Sequence, residues 1–217
     1  MRGGVRLGAG GTGVGVRAYL PRRLSADPLA VGGTLGLMWL TGGPWALCVL
    51  LAAALHELGH LLAALCCRRS VERMHFGWMG ASITWAGHTG GYGQDVFLAL
   101  AGALANSVAC LLLVPVIRTT ASLWLLFFFF CNLGRGAFNL LPIRGLDGGV
   151  ILYSLACAGF GLRAGRLALG IGTAVGLGLL LAAAGGLLGF WHNNPSIFVL
   201  LLLLFFRLLP GKTKRTA

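Results

Sequence analysis

Acidic side chains are scarce in this chain: 5 of its 217 residues are Asp or Glu, and only 10% of all residues are charged. A soluble domain usually has about a quarter charged residues, so the composition excludes an ordinary water-soluble fold. Hydrophobic residues reach 57% instead. We therefore expect an integral membrane protein, whose length is counted in spans of roughly 20 residues.

Neither a disulfide framework nor a nucleic-acid surface is indicated. The net charge of +12 comes from basic residues that lie between or beyond apolar segments, which predicts a membrane topology and no nucleic-acid partner. The cysteines lie within or at the edges of apolar runs, without the spacing of a zinc ribbon, and are interpreted as small apolar residues. They are Cys48, Cys66, Cys67, Cys110, Cys131 and Cys157.

The apolar segments predict an all-α polytopic membrane protein with about six transmembrane helices. Residues 1–26 are interpreted as a basic, Gly-rich cytosolic arm, and residues 27–217 as a single membrane domain with its core at 44–160. A short β-hairpin-like segment at the membrane interface is expected at 70–94. The predicted spans are, in order, residues 28–41, 44–67, 95–117 and 121–142, then a fifth span that follows Arg163 and Arg166 and reaches Trp191, and finally residues 196–209. A half-span is predicted at 149–160.

The basic residues also predict how these spans are oriented. With a cytosolic N-terminus, all 17 Lys and Arg residues fall on the cytosolic side except Arg118, which lies outside, and Arg135, which lies within a span. Positive charge collects on the cytosolic side of membrane proteins, so both termini are expected in the cytosol. Arg135 is expected to snorkel or to pair with a backbone carbonyl.

Two histidines and a glutamate interrupt the second apolar segment. On a helix, His56 and His60 project from the same face one turn apart, and Glu57 follows the first of them. This is the H-E-x-x-H arrangement of zinc hydrolases, in which two imidazoles hold Zn²⁺ and the glutamate accepts a proton from water. Because such groups are costly in lipid, a metal site is favoured over a chance match.

A third ligand is required, since catalytic zinc sites usually have three protein ligands. Asp147 is the best candidate. It lies in a broken stretch, residues 139–149, where a proline and several glycines let the backbone leave the helix and direct the carboxylate inward. The alternative is that Asp147 only caps the helix that begins after Gly148.

The motif His56-Glu57-Leu58-Gly59-His60, followed by Asn139-x-x-Pro142-x-x-x-Leu146-Asp147-Gly148-Gly149, resembles the site-2 protease family of intramembrane zinc metalloproteases. The compact build is most similar to the branch of the stage IV sporulation protein FB. The resemblance covers roughly residues 44–160. Two motifs in the right order are far more specific than either motif alone.

The resemblance implies that His56, His60 and Asp147 bind one Zn²⁺ and that Glu57 activates water to cut a peptide bond within or beside the membrane. It implies a membrane protein substrate, regulated intramembrane proteolysis such as sporulation-type precursor processing, and a membrane regulatory partner. The expected location is a bacterial cell membrane or the membrane around a forespore. Neither a CBS domain nor a PDZ domain is expected, and the oligomeric state stays open.

Four more residues are candidates for binding substrate or supporting the site: Asn106, Asn139, Pro142 and Gly148. Asn106 follows Ala101-Gly102-Ala103, where relatives often have Ala-Gly-Pro and then an asparagine. Both asparagines have a simpler interpretation, in which they satisfy backbone groups freed by a nearby Gly or Pro.

Two other functions are compatible with polar groups inside a membrane. A metal transporter would also place His and acidic groups at the midplane, but it predicts polar residues along several spans. A protease-like protein that binds partners without cutting them would not need all four residues of the hydrolytic set, which are present here.

Overall fold

The computed structural model describes residues 23–40, 44–77, 80–85 and 90–190. Helices dominate these residues, and a small sheet forms the rest of the regular structure. The elements in chain order are strand β1 (Arg23–Ala26), helices α1 (Pro28–Leu40) and α2 (Pro44–Cys66), strands β2 (Val71–Gly77) and β3 (Gly80–Trp85), and helices α3 (Tyr92–Thr120), α4 (Leu123–Asn139) and α5 (Asp147–Phe190).

Three of these helices are long and apolar enough to cross a membrane: Trp45–Cys66 within α2, α3 in full, and Asp147–Ala183 within α5. Together with the composition, they identify an integral membrane protein. The predicted first span forms α1, which has only 13 residues, and α4 has 17. The predicted sixth span and most of the predicted arm, residues 1–22, lie outside the described residues, so the count of six spans stays a prediction.

Helix α5 changes direction at Gly161, whose φ is +84°. Glycine adopts this backbone conformation readily because it has no Cβ. The break falls between the predicted half-span at 149–160 and the predicted fifth span, which follows Arg163 and Arg166. The glycine therefore separates two helical segments that were also predicted as separate from the sequence.

The sheet has the order β1-β2-β3, with β2 and β3 antiparallel and β1 parallel to β2. The predicted hairpin segment thus contains an antiparallel strand pair, and the last four residues of the predicted arm form β1. Val71 of β2 is fully buried and packs with Ala63, Ala64 and Leu98. This cluster fixes the sheet to α2 and α3, while its position at a membrane interface stays a prediction.

Helix α3 packs against α2, α4 and α5 and so forms the centre of the helical bundle. The helices approach closely where side chains are small, as is common in membrane bundles. A side chain at Gly59 would collide with the backbone carbonyl of Ala101, and one at Gly136 would contact Asn106 and Ala103. These close approaches bring the histidine-bearing face of α2 directly against α3.

The segment between α4 and α5 folds back onto the start of α5. Ile143 is fully buried and packs with Leu146 and with Leu177 from the later part of α5. Gly145 has a φ of +92°, a conformation that favours glycine. A Cβ at Gly148 would collide with the carbonyl oxygen of Leu140. This tight loop determines where the first residue of α5 points.

Candidate metal centre

The three predicted metal ligands meet at one point between α2, α3 and α5. Nε2 of His56 lies 3.0 Å from Oδ2 of Asp147, and Nε2 of His60 lies 3.3 Å from the same oxygen. The two Nε2 atoms are 3.2 Å apart. Both histidines are buried, at 2% and 7% exposure, and Asp147 is half-buried. The carboxylate faces the imidazoles, which differs from the simple helix-capping alternative.

The far side of each imidazole ring is held by a hydrogen bond. Nδ1 of His60 donates to the backbone carbonyl of Leu98 at 2.8 Å. A carbonyl can only accept, so Nδ1 carries a proton, and in the neutral ring Nε2 then carries a lone pair. Nδ1 of His56 lies 2.8 Å from Oδ1 of Asn106. The orientation of that amide decides the tautomer of His56.

The amide of Asn106 is oriented by a chain of hydrogen bonds that ends on two carbonyls. Nδ2 of Asn132 donates to the carbonyl of Phe128 at 2.9 Å, which leaves Oδ1 of Asn132 as an acceptor. Nδ2 of Asn106 donates to that oxygen at 2.8 Å and to the carbonyl of Ala52 at 3.0 Å. Oδ1 of Asn106 therefore accepts the Nδ1 proton of His56, so in the neutral ring Nε2 of His56 also carries a lone pair.

These assignments decide what the centre can bind. Two nitrogen lone pairs and a carboxylate oxygen converge, and a single proton can bridge only one pair of these atoms. A divalent cation can bind to all three. Ligands about 2.0–2.1 Å from a tetrahedral zinc ion lie about 3.3 Å apart, and the observed separations are 3.0, 3.2 and 3.3 Å. His56, His60 and Asp147 thus fit a zinc ion, as the donor set also favours.

Glycine at position 102 leaves room beside both imidazoles. A Cβ there would lie 2.5 Å from Nε2 of His60 and 2.7 Å from Nε2 of His56. A Cβ atom does not approach other heavy atoms that closely, so a side chain at Gly102 would displace the rings. Within the Ala101-Gly102-Ala103 stretch, glycine at position 102 is therefore required for the two imidazoles to occupy their observed positions.

Glu57 is buried beside the ligands and forms an ion pair with Arg135 of α4. Its Oε1 accepts a hydrogen bond from a terminal guanidinium nitrogen of Arg135 at 3.2 Å, and the two side chains are 11% and 23% exposed. The expectation that Arg135 would snorkel or pair with a backbone carbonyl is wrong. Its guanidinium instead balances the charge of Glu57, which removes much of the cost of a carboxylate in an apolar helix.

The remaining predicted residues differ in their relation to the centre. Asn106 supports His56 directly, and Gly148 permits the close packing that directs Asp147. Asn139 donates to the carbonyl of Arg135 within its own helix at 3.0 Å, and it lines a cavity of about 300 Å³ together with Arg135. Pro142 lies in the loop before α5. Substrate contacts for Asn139 and Pro142 stay predictions.

The arrangement of helices is similar to that of a solved structure, the site-2 protease from Methanocaldococcus jannaschii. The likeness covers 82% of this chain and 82% of that chain, with a TM-score of 0.55 and 21% sequence identity. The chain has the fold of a site-2 protease. This agrees with the family resemblance of the sequence at the level of fold, while the sporulation branch stays a prediction. The sequence itself matches no protein-family model and no curated protein.

Replacing Gly102 with alanine should weaken zinc binding by at least about tenfold, because the new methyl group would displace imidazoles that are already fixed at Nδ1. Alanine favours a helix over glycine by roughly 0.5–1 kcal/mol, so a weaker helix would not explain the loss. Competition titration of purified protein with a zinc chelator measures the effect. Gly93→Ala, on the same helix with open space around it, should bind zinc normally; equal affinity in both variants would contradict this account.

Replacing Arg135 with methionine should destabilise the metal-free protein by at least about 1 kcal/mol, since Glu57 then loses its buried partner. The double variant Arg135→Met/Glu57→Gln should recover part of that loss. Denaturant unfolding in detergent micelles gives the coupling free energy. For the control, Arg118 is exposed, and Arg118→Met should be additive with Glu57→Gln within about 0.5 kcal/mol. Additivity for Arg135 as well would mean that the ion pair contributes nothing.

Proposed function

We propose that this protein is an intramembrane zinc metalloendopeptidase that cleaves membrane-embedded or membrane-associated proteins. One observation carries the proposal: within the fold of a site-2 protease, a long apolar helix presents two imidazole nitrogens that converge with the carboxylate of Asp147. Glu57 follows the first of these histidines directly. Three zinc ligands and one adjacent carboxylate form the minimum set for zinc-dependent hydrolysis of a peptide bond.

When bound, zinc would supply a Lewis acid that polarises the carbonyl of the scissile peptide and makes water more acidic. His56, His60 and Asp147 would hold it. Glu57 then has the role of general base: its carboxylate accepts a proton from the attacking water and passes that proton to the departing amine nitrogen. A peptide bond is thereby exchanged for a carboxyl group and an amine, with no net gain or loss of protons at Glu57.

Arg135 supports this role by holding one carboxylate oxygen of Glu57. The hydrogen bond to Oε1 leaves Oε2 available to face the water. A carboxylate oriented in this way loses less conformational freedom when the reaction begins. The surrounding apolar helices exclude bulk water, which strengthens both the ion pair and the polarisation of the substrate.

The substrate and its control are inferred from family resemblance. A membrane-tethered precursor protein, as in the sporulation branch, fits a site at membrane depth, and a membrane partner would regulate its access. The charge distribution favours a multi-pass protein of a bacterial cell membrane with both termini in the cytosol. The proposal includes no nucleic-acid partner.

Replacing Glu57 with glutamine should lower cleavage by about 100-fold or more, because general acid–base catalysis typically contributes 10²–10⁴-fold. Glutamine keeps an oxygen that can accept the hydrogen bond from Arg135, so the fold and the zinc content should not change. Membrane proteomes of cells with wild-type or Glu57→Gln protein identify candidate substrates that accumulate uncut. Cleavage of the best candidate is then measured with purified protein in proteoliposomes.

Glu72→Gln is the matched control, because Glu72 is an exposed acid on β2 and its replacement removes the same charge at a residue outside the proposed hydrolytic set. It should cleave at the wild-type rate. A zinc-loaded Glu57→Gln protein that cleaves normally would exclude the proposed mechanism. Zinc flux through the wild-type protein, without any cleavage, would favour the transporter alternative instead.

A further inference from the structure

Asn132 is a buried polar residue that neither the sequence motifs nor the proposed reaction uses. It lies in α4 after a run of four phenylalanines and is 0% exposed. Burying an amide in apolar surroundings costs free energy unless its groups are hydrogen-bonded. Nδ2 donates to the carbonyl of Phe128 one turn earlier, and Oδ1 accepts from Asn106. Both polar atoms of the Asn132 side chain therefore have a hydrogen-bond partner, and its oxygen points towards α3.

The two histidines are held in different ways. His60 donates to the carbonyl of Leu98, which is part of the α3 backbone and cannot rotate. His56 donates to Oδ1 of Asn106, which belongs to a side chain. An amide that turned by 180° would present its NH₂ group to His56 and would place the imidazole proton on Nε2. That tautomer cannot bind a cation through Nε2.

Two contacts prevent Asn106 from turning. One of its N–H groups donates to the carbonyl of Ala52 and the other to Oδ1 of Asn132. Loss of the second contact would leave a buried N–H group without an acceptor, and only the Ala52 carbonyl would then hold the amide. The oxygen of Asn132 is in turn fixed by its own bond to Phe128, so α4 determines the orientation of an amide on α3.

We propose that Asn132 is a positioning residue for the candidate metal ligand His56 and that it acts through Asn106. The inference rests on the proposed zinc site. The chain of bonds runs from the carbonyl of Phe128 through two amides to Nδ1 of His56, and it keeps the lone pair of Nε2 directed at the cation. Groups that orient a metal-binding histidine typically contribute 10- to 100-fold to metal affinity.

Zinc titration of the purified full-length protein in detergent micelles tests this assignment. Asn132→Leu, which is similar in size but has no oxygen, should weaken zinc affinity by about 10- to 100-fold. Asn132→Asp keeps an oxygen that can accept from Asn106 and should restore most of the affinity. Asn132→Ala serves in place of the leucine variant if the latter fails to fold.

Cys110→Ala is the matched control. Cys110 is also buried, lies one turn after Asn106, and contacts the carbonyl of Phe129, so it too links α3 to α4. It should lower the stability of the metal-free protein without changing zinc affinity. Equal losses of affinity for Cys110→Ala and Asn132→Leu would mean that Asn132 only packs the two helices, and the assignment would be wrong.

A second measurement reports on the tautomer without zinc. Nitrogen NMR of ¹⁵N-histidine-labelled metal-free protein should find His56 protonated at Nδ1 in the wild type and a mixture of tautomers in Asn132→Leu, with His60 unchanged. Failure of the wild type to bind zinc would exclude the proposed function and this inference together. Wild-type zinc binding with equal affinity in Asn132→Leu would overturn this inference alone.

Discussion

The convergence of two imidazole nitrogens with one carboxylate, inside a bundle of apolar helices, constrains the rest of the structure. Atoms that carry lone pairs or negative charge repel one another at 3.0–3.3 Å, and lipid offers no water to screen them. The fold therefore has to fix each of them from behind. The carbonyl of Leu98 holds His60, the amide of Asn106 holds His56, and the loop after α4 directs Asp147. Two of these supports come from α3, which packs against α2. The third comes from the loop that follows α4, which also packs against α2.

Helix α3 is the main source of this support. Its backbone carries the carbonyl of Leu98, its side chain Asn106 reaches His56, and Gly102 lies between these two positions and leaves space for both rings. A helix can do all three only if its axis lies very close to α2. Gly59 on α2 permits that approach, since any side chain there would collide with Ala101. Small residues at the crossing are thus a requirement of the metal centre as well as of membrane packing.

The sequence was sufficient for the parts of the site that depend on local spacing. His56, Glu57 and His60 share a face because a helix repeats every 3.6 residues, and the proline and glycines near Asp147 indicate a break in the helix. The hydrogen-bond partners of Glu57 and Asn106 could not be predicted from local spacing. Arg135 and Asn132 lie on α4, far away along the chain, and their contacts depend on the rotation of one helix about its axis relative to two others. No local pattern encodes that rotation. A polar residue in an apolar helix was the available signal, and for Arg135 it led to the wrong partner.

Because the chain has only five acidic residues, the partner of each acid on the membrane helices can be considered in turn. Three of the five acids lie on the helices α2, α3 and α5, and two of these have a fixed cation: Arg69 pairs with Asp95, and Arg135 pairs with Glu57. Asp147 differs because it faces two imidazoles. Their hydrogen bonds at Nδ1 fix one proton on the far side of each ring, so a neutral imidazole presents a lone pair at Nε2 to the carboxylate. An ionised carboxylate is costly at membrane depth, and a divalent cation bound between Asp147 and the two imidazoles would offset that cost. The charge balance of the helices therefore favours a metal at the same point as the ligand distances do.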